Sequence, residues 1–289
     1  KKIGEEIEGN GGQLNGFTDE AITAYWCKMP SKHLNVALDV LTDMVKNPLF
    51  DKKEIEKERK VIFEEIKMNQ DSPMRHVFHE ITGCLYEEPF GIPLIGTYDT
   101  MNSIDRKKMV EKFEKIYTSN NLVLCVIGDA DFEEVVDFVE KNFGKEKSEV
   151  PNLDVKLKNE RKIVKRKGID QANLILAHHI PLANDKKCYA ARVLSVLMAE
   201  GFTSRLFNEI REKRNLAYAV KGDSDLSKDY AYSFVYVGTT KENVDLVKEL
   251  ILKEFEKVAN DLDEKELQEV KKKMIGNYEI SIEDSQDQM

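Results

Sequence analysis

The chain has 289 residues, which is long enough for two domains of ordinary size, and 34% of its residues are charged. Its net charge of -9 argues against nucleic acid as a partner, because no basic stripe is present to neutralise phosphates. No apolar run approaches the length that spans a bilayer, and no signal peptide is visible. The composition predicts a globular protein that binds neither nucleic acid nor membrane.

The four cysteines, Cys27, Cys84, Cys125 and Cys188, are widely spaced and form no CxxC pair. Each lies in an apolar context, which predicts four buried free thiols. Free thiols favour a reducing compartment, and we therefore expect a cytoplasmic location.

The first predicted elements are two strands around a polar turn in "QLNGFTDEAITAYWCKM", followed by the helix "SKHLNVALDVLTDMVKN". A second helix covers residues 51–70, which contain neither glycine nor proline. Advancing about 100° per residue, Ile55, Ile62 and Ile66 share one face of this helix.

Glu58 and Glu65 lie beside that apolar face, seven residues and only about 20° apart on the helical wheel. A carboxylate on a core-facing stripe is costly unless a cation, a metal or several donors compensate it. Two interpretations stay open from the pattern alone: a functional carboxylate pair, or the solvated edge of a broad stripe.

The next predicted elements are a buried strand, a turn and a helix in "NLVLCVIGDADFEEVVDFVEKNF". Residues 149–165 are charged, follow Gly144, contain Pro151 and lack periodicity, which predicts a linker between an N-terminal repeat, 1–148, and a C-terminal repeat, 166–289. The second repeat is predicted to open with a buried strand in "ANLILAHHIP".

The order strand, strand, helix, helix then recurs in "LAYAVKGDSDLSKDYAYSFVYVG", "KENVDLVKELILKEFEKVAND" and "LDEKELQEVKKKMIGNYEI". This recurrence predicts an α+β fold of two homologous repeats, each an antiparallel sheet covered by helices. Aligning Asp51 with Asp263 places Val270 opposite Glu58 and Asn277 opposite Glu65. The second copy keeps neither carboxylate, which favours a special role for the first.

These segments resemble the pitrilysin/insulinase family of zinc metallopeptidases, with the closest likeness to its bacterial processing-protease and mitochondrial processing-peptidase branch. The resemblance spans nearly the whole chain and is carried by five segments in the family's order: "GGQLNGFTDE", "ERKVIFEEIKM" followed by "DSP", "FGIPLIGTYDTMNSI", "NLVLCVIGD" and "GFTSRLFNEIREKRNLAYAV".

The resemblance implies that Glu65 is a zinc ligand and that Glu58 supports the site by orienting a ligand. The family's other ligands are the two histidines of an HxxEH motif, whose glutamate activates water. That motif does not occur in this sequence, and the family layout places it just upstream of Lys1. We therefore expect a chain truncated at both ends, which is inactive as it stands.

The resemblance also implies residues that bind a peptide substrate. Asn15, Gly16 and Phe17 match an edge strand to which the substrate adds a strand, although an ordinary edge strand explains the pattern as well. Arg211 and Tyr218 match an arginine and a tyrosine that contact the substrate from the facing half of the family's clamshell, and Tyr218 is also compatible with a core position. In single-length members the facing half comes from a second subunit, which implies a homodimer or a heterodimer with a related chain.

The remaining histidines carry little metal-binding signal. His76 and His79 form HxxH before Glu80, a spacing that fits neither HExxH nor HxxEH, and His178 and His179 point to opposite sides of a strand. Three functions follow in order of preference: a zinc endopeptidase of unfolded or short peptides, a non-catalytic partner or scaffold subunit of the same family, and a peptide-binding module without chemistry.

Overall fold

The computed structural model describes residues 2–145, 147–149 and 154–289. Within these residues the first sheet has two antiparallel strands, β1 (Gln13–Thr18) and β2 (Thr23–Lys28). The second sheet has three, β3 (Gln171–His179), β4 (Ala217–Leu226) and β5 (Ala231–Thr240), in the order β3-β5-β4 with all pairs antiparallel. Eleven α-helices surround them in the described residues: α1 (Lys2–Glu8), α2 (Leu34–Lys46), α3 (Lys52–Asp71), α4 (Pro73–Leu85), α5 (Tyr98–Ser103), α6 (Arg106–Ile116), α7 (Phe132–Asn142), α8 (Cys188–Ala199), α9 (Val244–Asp261), α10 (Glu264–Ser281) and α11 (Ser285–Gln288).

The predicted α+β class and its two strand–strand–helix–helix units are confirmed. The first copy is β1, β2, α2 and α3, and the second is β4, β5, α9 and α10. Capping residues in the local sequence determine where several of the helices between these two copies begin. The Ser72 hydroxyl accepts from the Arg75 amide with Pro73 at the first helical position of α4, and Asp105 and Asp131 cap α6 and α7 in the same way.

The chain forms two compact units. One contains Lys1–Glu64, Leu94–Asn152 and Ser281–Met289, and the other contains Glu65–Pro93 and Leu153–Ile280. This division by packing cuts across the predicted repeats, because α4 groups with the second sheet rather than with the first. The predicted repeat boundaries concern homology rather than packing, and they stay a prediction.

The predicted linker, 149–165, falls partly outside the described residues, which omit 150–153 together with Pro151. The part that is described is engaged with the end of α4: Lys158 N donates to Leu85 O over 2.7 Å, and Glu160 N donates to Cys84 O over 2.9 Å. Residues 156–160 therefore lie along a helix end of their own unit.

The main hydrophobic core belongs to the second unit. It consists of buried side chains from α8, from the segment that follows it, and from β4, β5 and α9, among them Ile210, Val237, Val247 and Ile251. A smaller aromatic cluster in the same unit contains Tyr86, Phe90, Tyr230 and Tyr232. In the first unit the buried side chains include Ile7, Ala37, Leu38 and Val40.

One predicted strand and part of the cysteine prediction are wrong. Residues 122–127 form no strand, and Val123 is 94% exposed, although the helix predicted after them is present as α7. A strand needs a neighbour to complete its ladder of hydrogen bonds, and this segment pairs with no strand that the structure describes. Cys125 is consequently exposed, Cys27 and Cys84 are half-buried, and only Cys188 is buried as predicted; all four are free.

Candidate functional site

The two predicted carboxylates lie on the exposed side of α3. Glu58 and Glu65 are both exposed, and neither side chain forms a hydrogen bond or ion pair within the described part of the chain. The two carboxylates therefore lie at the solvated edge of the apolar stripe, and their role at a metal stays a prediction. Ile66 is buried and Ile55 and Ile62 are half-buried, so the packed face of α3 lies to one side of the acids.

Two apolar side chains share the exposed face with these acids. Val61 and Met68 are 49% and 50% exposed, and both lie within about 80° of Glu58 on the helical wheel. This face thus combines carboxylates that have no partner in the described residues with partly exposed apolar groups. We call Glu58, Val61, Glu65 and Met68 the acidic face of α3.

Arg59 is a structural residue that the sequence analysis missed. Its side chain is 13% exposed, and its guanidinium donates to the carbonyl oxygens of Met101 and, over 2.7 Å, of Ile104. These carbonyls end α5, where the helix dipole is negative and backbone acceptors lack partners. Its place at the margin of the apolar stripe was the only available signal.

The predicted substrate strand lies at an open edge. β1 pairs with β2 and with no other strand that the structure describes. Asn15 is exposed and its Oδ1 accepts from the Gly16 amide over 2.8 Å, while Phe17 is 49% exposed. A Cβ on Gly16 would lie 2.8 Å from the Ala24 carbonyl oxygen, so close strand pairing requires glycine there. The free edge can accept an extended chain.

Arg211 lies in an irregular helical turn. Residues Phe207–Glu212 form a π-helical turn, in which Lys213 N donates to Asn208 O five residues back over 2.9 Å. Arg211 is exposed, with its guanidinium carbon 5.1 Å from the centroid of the Phe207 ring.

Ion pairs to one buried carboxylate hold that turn in place. Glu209 is buried, and its carboxylate pairs with Lys213 over 3.0 Å and with Arg214. Hydrogen bonds from Lys213 and Arg214 outweigh the effect of burial and lower the pKa of Glu209, so it stays ionised. The sequence contained these residues, but no pattern in it distinguishes a π-helical turn from an α-helix.

Tyr218 lies at the start of β4 and is 47% exposed. The core position that the sequence left open for it is therefore not the observed one. Its hydroxyl lies 3.4 Å from Asn173 Oδ1 and 3.5 Å from the hydroxyl of the buried Tyr236. The sequence analysis identified Tyr218 and missed Asn173 and Tyr236, because nothing local shows that β5 lies between β3 and β4.

The histidines do not form a metal site. His76 Nε2 lies 3.6 Å from Glu80 Oε1, and burial together with nearby Arg166 lowers the pKa of His76. His178 packs edge-on against Phe255, whereas His179 hydrogen-bonds Lys158 O over 2.9 Å, in agreement with opposite faces of β3. Within the described ranges, no three His, Cys, Asp or Glu side chains are grouped so that they could hold a metal ion. No described helix combines the length and apolarity of a membrane span.

Comparison with protein families gives two matches that together cover most of the chain. Residues 1–98 match the model described as insulinase (peptidase family M16), and residues 103–274 match the one described as peptidase M16 inactive domain.

Individual relatives agree with these matches. An uncharacterized zinc protease of Bacillus subtilis is 30% identical over 100% of this chain and 71% of its own length. One of Rickettsia felis is 30% identical over 96% of this chain and 68% of its own length. A crystal structure of a protease from Helicobacter pylori has the same fold, with a TM-score of 0.90, 21% identity, and coverage of 99% of this chain and 72% of that one.

Proposed function

We propose that this chain, which belongs to the insulinase (M16) family of peptidases, is part of a zinc-dependent endopeptidase in which Glu65 is a metal ligand. The observation that carries the proposal is the acidic face of α3, where two carboxylates without partners stand among exposed apolar side chains. A carboxylate kept free of lysine and arginine on such a face is available to a metal ion once another segment covers it.

The donor set fits zinc only in part. Glu65 is a suitable oxygen ligand, and Glu58, two helical turns earlier, can orient a histidine ligand through a hydrogen bond. When bound, zinc would activate water for attack on a peptide carbonyl. The histidines that complete the family's site are not among these 289 residues. The test therefore uses the full-length gene product, with any residues that precede or follow this chain.

The decisive experiment compares two neighbouring glutamates. Glu64 and Glu65 are adjacent and both exposed, but they point about 100° apart around α3. Full-length protein and its Glu65→Gln and Glu64→Gln variants would be assayed for zinc content and for cleavage of an internally quenched peptide. We expect Glu65→Gln to lose bound zinc and to lower kcat/KM at least about 100-fold, because the metal loses a charged ligand.

The Glu64→Gln variant should keep both properties, and a chelator should abolish cleavage by the wild type. Full zinc content and continued cleavage in Glu65→Gln would refute the ligand assignment. Wild-type protein that neither binds zinc nor cleaves would favour the second candidate function, a non-catalytic partner subunit of a related peptidase.

The proposed substrate is an unfolded or short peptide that adds a strand to β1. The open edge of β1 and the exposure of Asn15 and Phe17 support this, and we propose that Asn15 holds the substrate backbone while Phe17 lines a side-chain pocket. Arg211 and Tyr218 are proposed to contact the peptide from the facing half, and the Tyr218 hydroxyl to donate to the carbonyl oxygen under attack.

The proposal places that facing half on a second subunit, either a second copy or a related chain, so that the peptide is enclosed between subunits. Sedimentation of the full-length protein should give a dimer or a defined heterodimer, and a monomer that cleaves at full rate would refute the enclosed site. Four free cysteines support a cytoplasmic location, which cell fractionation with an antibody would test.

A further inference from the structure

Tyr218 occupies the extra position of a β-bulge. Along β4 and β5, Ala217 lies opposite Thr239 and Ala219 lies opposite Gly238, so two steps on β4 correspond to one step on β5. Tyr218 is the residue without an opposite partner. Bulges are common beside active sites because they re-aim one side chain without changing the rest of the strand.

Gly238 provides the surface on which the Tyr218 ring lies. A Cβ added to Gly238 would meet the ring at 2.2 Å from Cζ and 2.4 Å from the hydroxyl oxygen, well inside any real contact. The phenol therefore crosses the central strand β5 in direct contact with its backbone. Here glycine is required by the close approach of an aromatic ring.

On the far side of β5, the Tyr218 hydroxyl lies beside Asn173. Asn173 lies opposite Gly238 on β3, and its Oδ1 accepts from the Tyr236 hydroxyl over 2.7 Å. Tyr236 is fully buried, and burial followed by the hydrogen bond to Tyr218 raises its pKa, so the phenol stays neutral and its hydroxyl keeps donating to Asn173 Oδ1. Within the residues that the structure describes, the Tyr218 hydroxyl makes only the two longer contacts, of 3.4 Å and 3.5 Å.

We propose that Asn173, Tyr236 and Gly238 are positioning residues that hold the Tyr218 phenol as a ready hydrogen-bond donor for the peptide carbonyl. The proposal rests on the function proposed above and goes beyond it, because it assigns roles to three residues that do not touch the substrate. Contacts longer than about 3.3 Å are weak, so the hydroxyl loses little when it turns to a substrate oxygen. Ring and hydroxyl are thus held near one position before the peptide arrives, which is how a donor stabilises developing charge without reorganisation.

A double-mutant cycle tests the coupling in the full-length protein. Wild type, Tyr218→Phe, Asn173→Ala and the double variant would be assayed with the same quenched peptide. We expect each single variant to lower kcat about 10- to 100-fold with a much smaller change in KM. Because Asn173 is argued to act through Tyr218, Asn173→Ala should cost nothing further in the Tyr218→Phe protein. Losses that multiply in the double variant would overturn the proposal.

Rescue by a conservative variant separates positioning from folding. Asn173→Asp keeps an acceptor oxygen at the same place and should retain activity within a few-fold of wild type, whereas Asn173→Ala should not. Equal losses in the two variants would contradict a role for the acceptor. Gly238→Ala should behave like Tyr218→Phe in kcat, because its methyl group displaces the ring.

A second readout does not depend on peptidase activity. With tyrosine labelled with ¹³C at Cζ, the resonance of Tyr218, assigned from Tyr218→Phe, should shift in Asn173→Ala and in Gly238→Ala. It should not move in Asn260→Ala, which removes an exposed amide on α9. An unmoved resonance would overturn the positioning role. A shift in a protein that proves to lack peptidase activity would keep this role and refute only the proposed function.

Discussion

The two copies of the strand–strand–helix–helix unit bury their side chains very differently. In the second copy β5 is the central strand of three and most of its residues are buried, whereas no residue of β1 or β2 in the first copy is fully buried. One aligned pair of helical positions follows the strands: Val270 on α10 is half-buried against the main core, whereas the corresponding Glu58 on α3 is exposed. One ancestral pattern thus supplies a stable scaffold in one place and an open surface in another.

The largest expected effect tests whether stability resides in the second copy. Ile251 on α9 is 1% exposed and belongs to the main core. Ile251→Ala should lower the free energy of unfolding by about 2–5 kcal/mol, because it removes buried methyl groups and leaves a cavity. Val61→Ala on the acidic face of α3 should change it by less than about 0.5 kcal/mol. Equal losses in urea unfolding would break the comparison.

Substitution of two glycines in corresponding strands, one in each copy, tests the same difference in packing more closely. A Cβ on Gly222 of β4 would lie 2.3 Å from the Ala199 Cβ and 3.0 Å from the Phe234 carbonyl oxygen. Gly222→Ala should cost about 1–3 kcal/mol through overpacking against α8. Gly16→Ala in β1 also meets a backbone oxygen, but its two-stranded sheet can yield, so we expect a smaller loss in thermal unfolding.

The matched control for these glycines is Gly276 within α10, where an added Cβ meets nothing within 4 Å. Gly276→Ala should raise stability by about 0.5–1 kcal/mol, because alanine has the higher helix propensity. A loss of stability at this position would show that the free space around a glycine does not decide what its substitution by alanine does to the stability of this fold.

We expect substitutions in the first copy to cost little stability, and Arg59 should be the main exception. Arg59→Ala removes the donors that satisfy the Met101 and Ile104 carbonyls and should cost about 1–2 kcal/mol in urea unfolding. Lys60→Ala, which removes an exposed cation from the next position, should be nearly neutral. A neutral Arg59→Ala would mean that other contacts, such as the one between the Phe63 and Tyr98 rings, are enough to hold α3 to α5.

The smallest expected effect is a pH dependence in α4. The pKa of His76 is lowered in the folded state from its ordinary value of 6.5, chiefly by burial and then by Arg166. Below that value the unfolded chain binds the proton more readily, so this contribution to stability is complete above about pH 6.5 and is lost as the pH falls below it. Urea midpoints at about pH 7.5 and pH 5.5 should therefore differ less in His76→Gln than in wild type. An unchanged difference would contradict the assignment.

The periodicity of apolar residues predicted those helices and strands that the local sequence determines. The segments "TAYWCK" and "AYSFVYVG" and the helical spacing of residues 51–70 correspond to β2, β5 and α3, because strand-forming residues and a helical apolar stripe are properties of the local sequence. Residues 122–127 failed because a strand needs a neighbour, and pairing is not local.

The candidate site shows the same limit. Family motifs indicated Glu65, Arg211 and Tyr218, while Asn173 and Tyr236 come together only after β3, β5 and β4 have assembled. The exposed orientation of Glu58 and Glu65 was one of two alternatives, and the helical pattern alone could not choose between them. A stripe of isoleucines indicates a buried face but does not mark its edge, and here Arg59 occupies part of that face instead of the acids.

The π-helical turn at Phe207–Glu212 has a consequence for how such proteins diverge. Its wide winding is equivalent to a single residue inserted into an ordinary helix. Deleting one residue there would restore regular winding and rotate Arg211 by about 100° away from its present direction. Under the proposed function, chain length at this turn, rather than the identity of any side chain, would decide which residue meets the peptide.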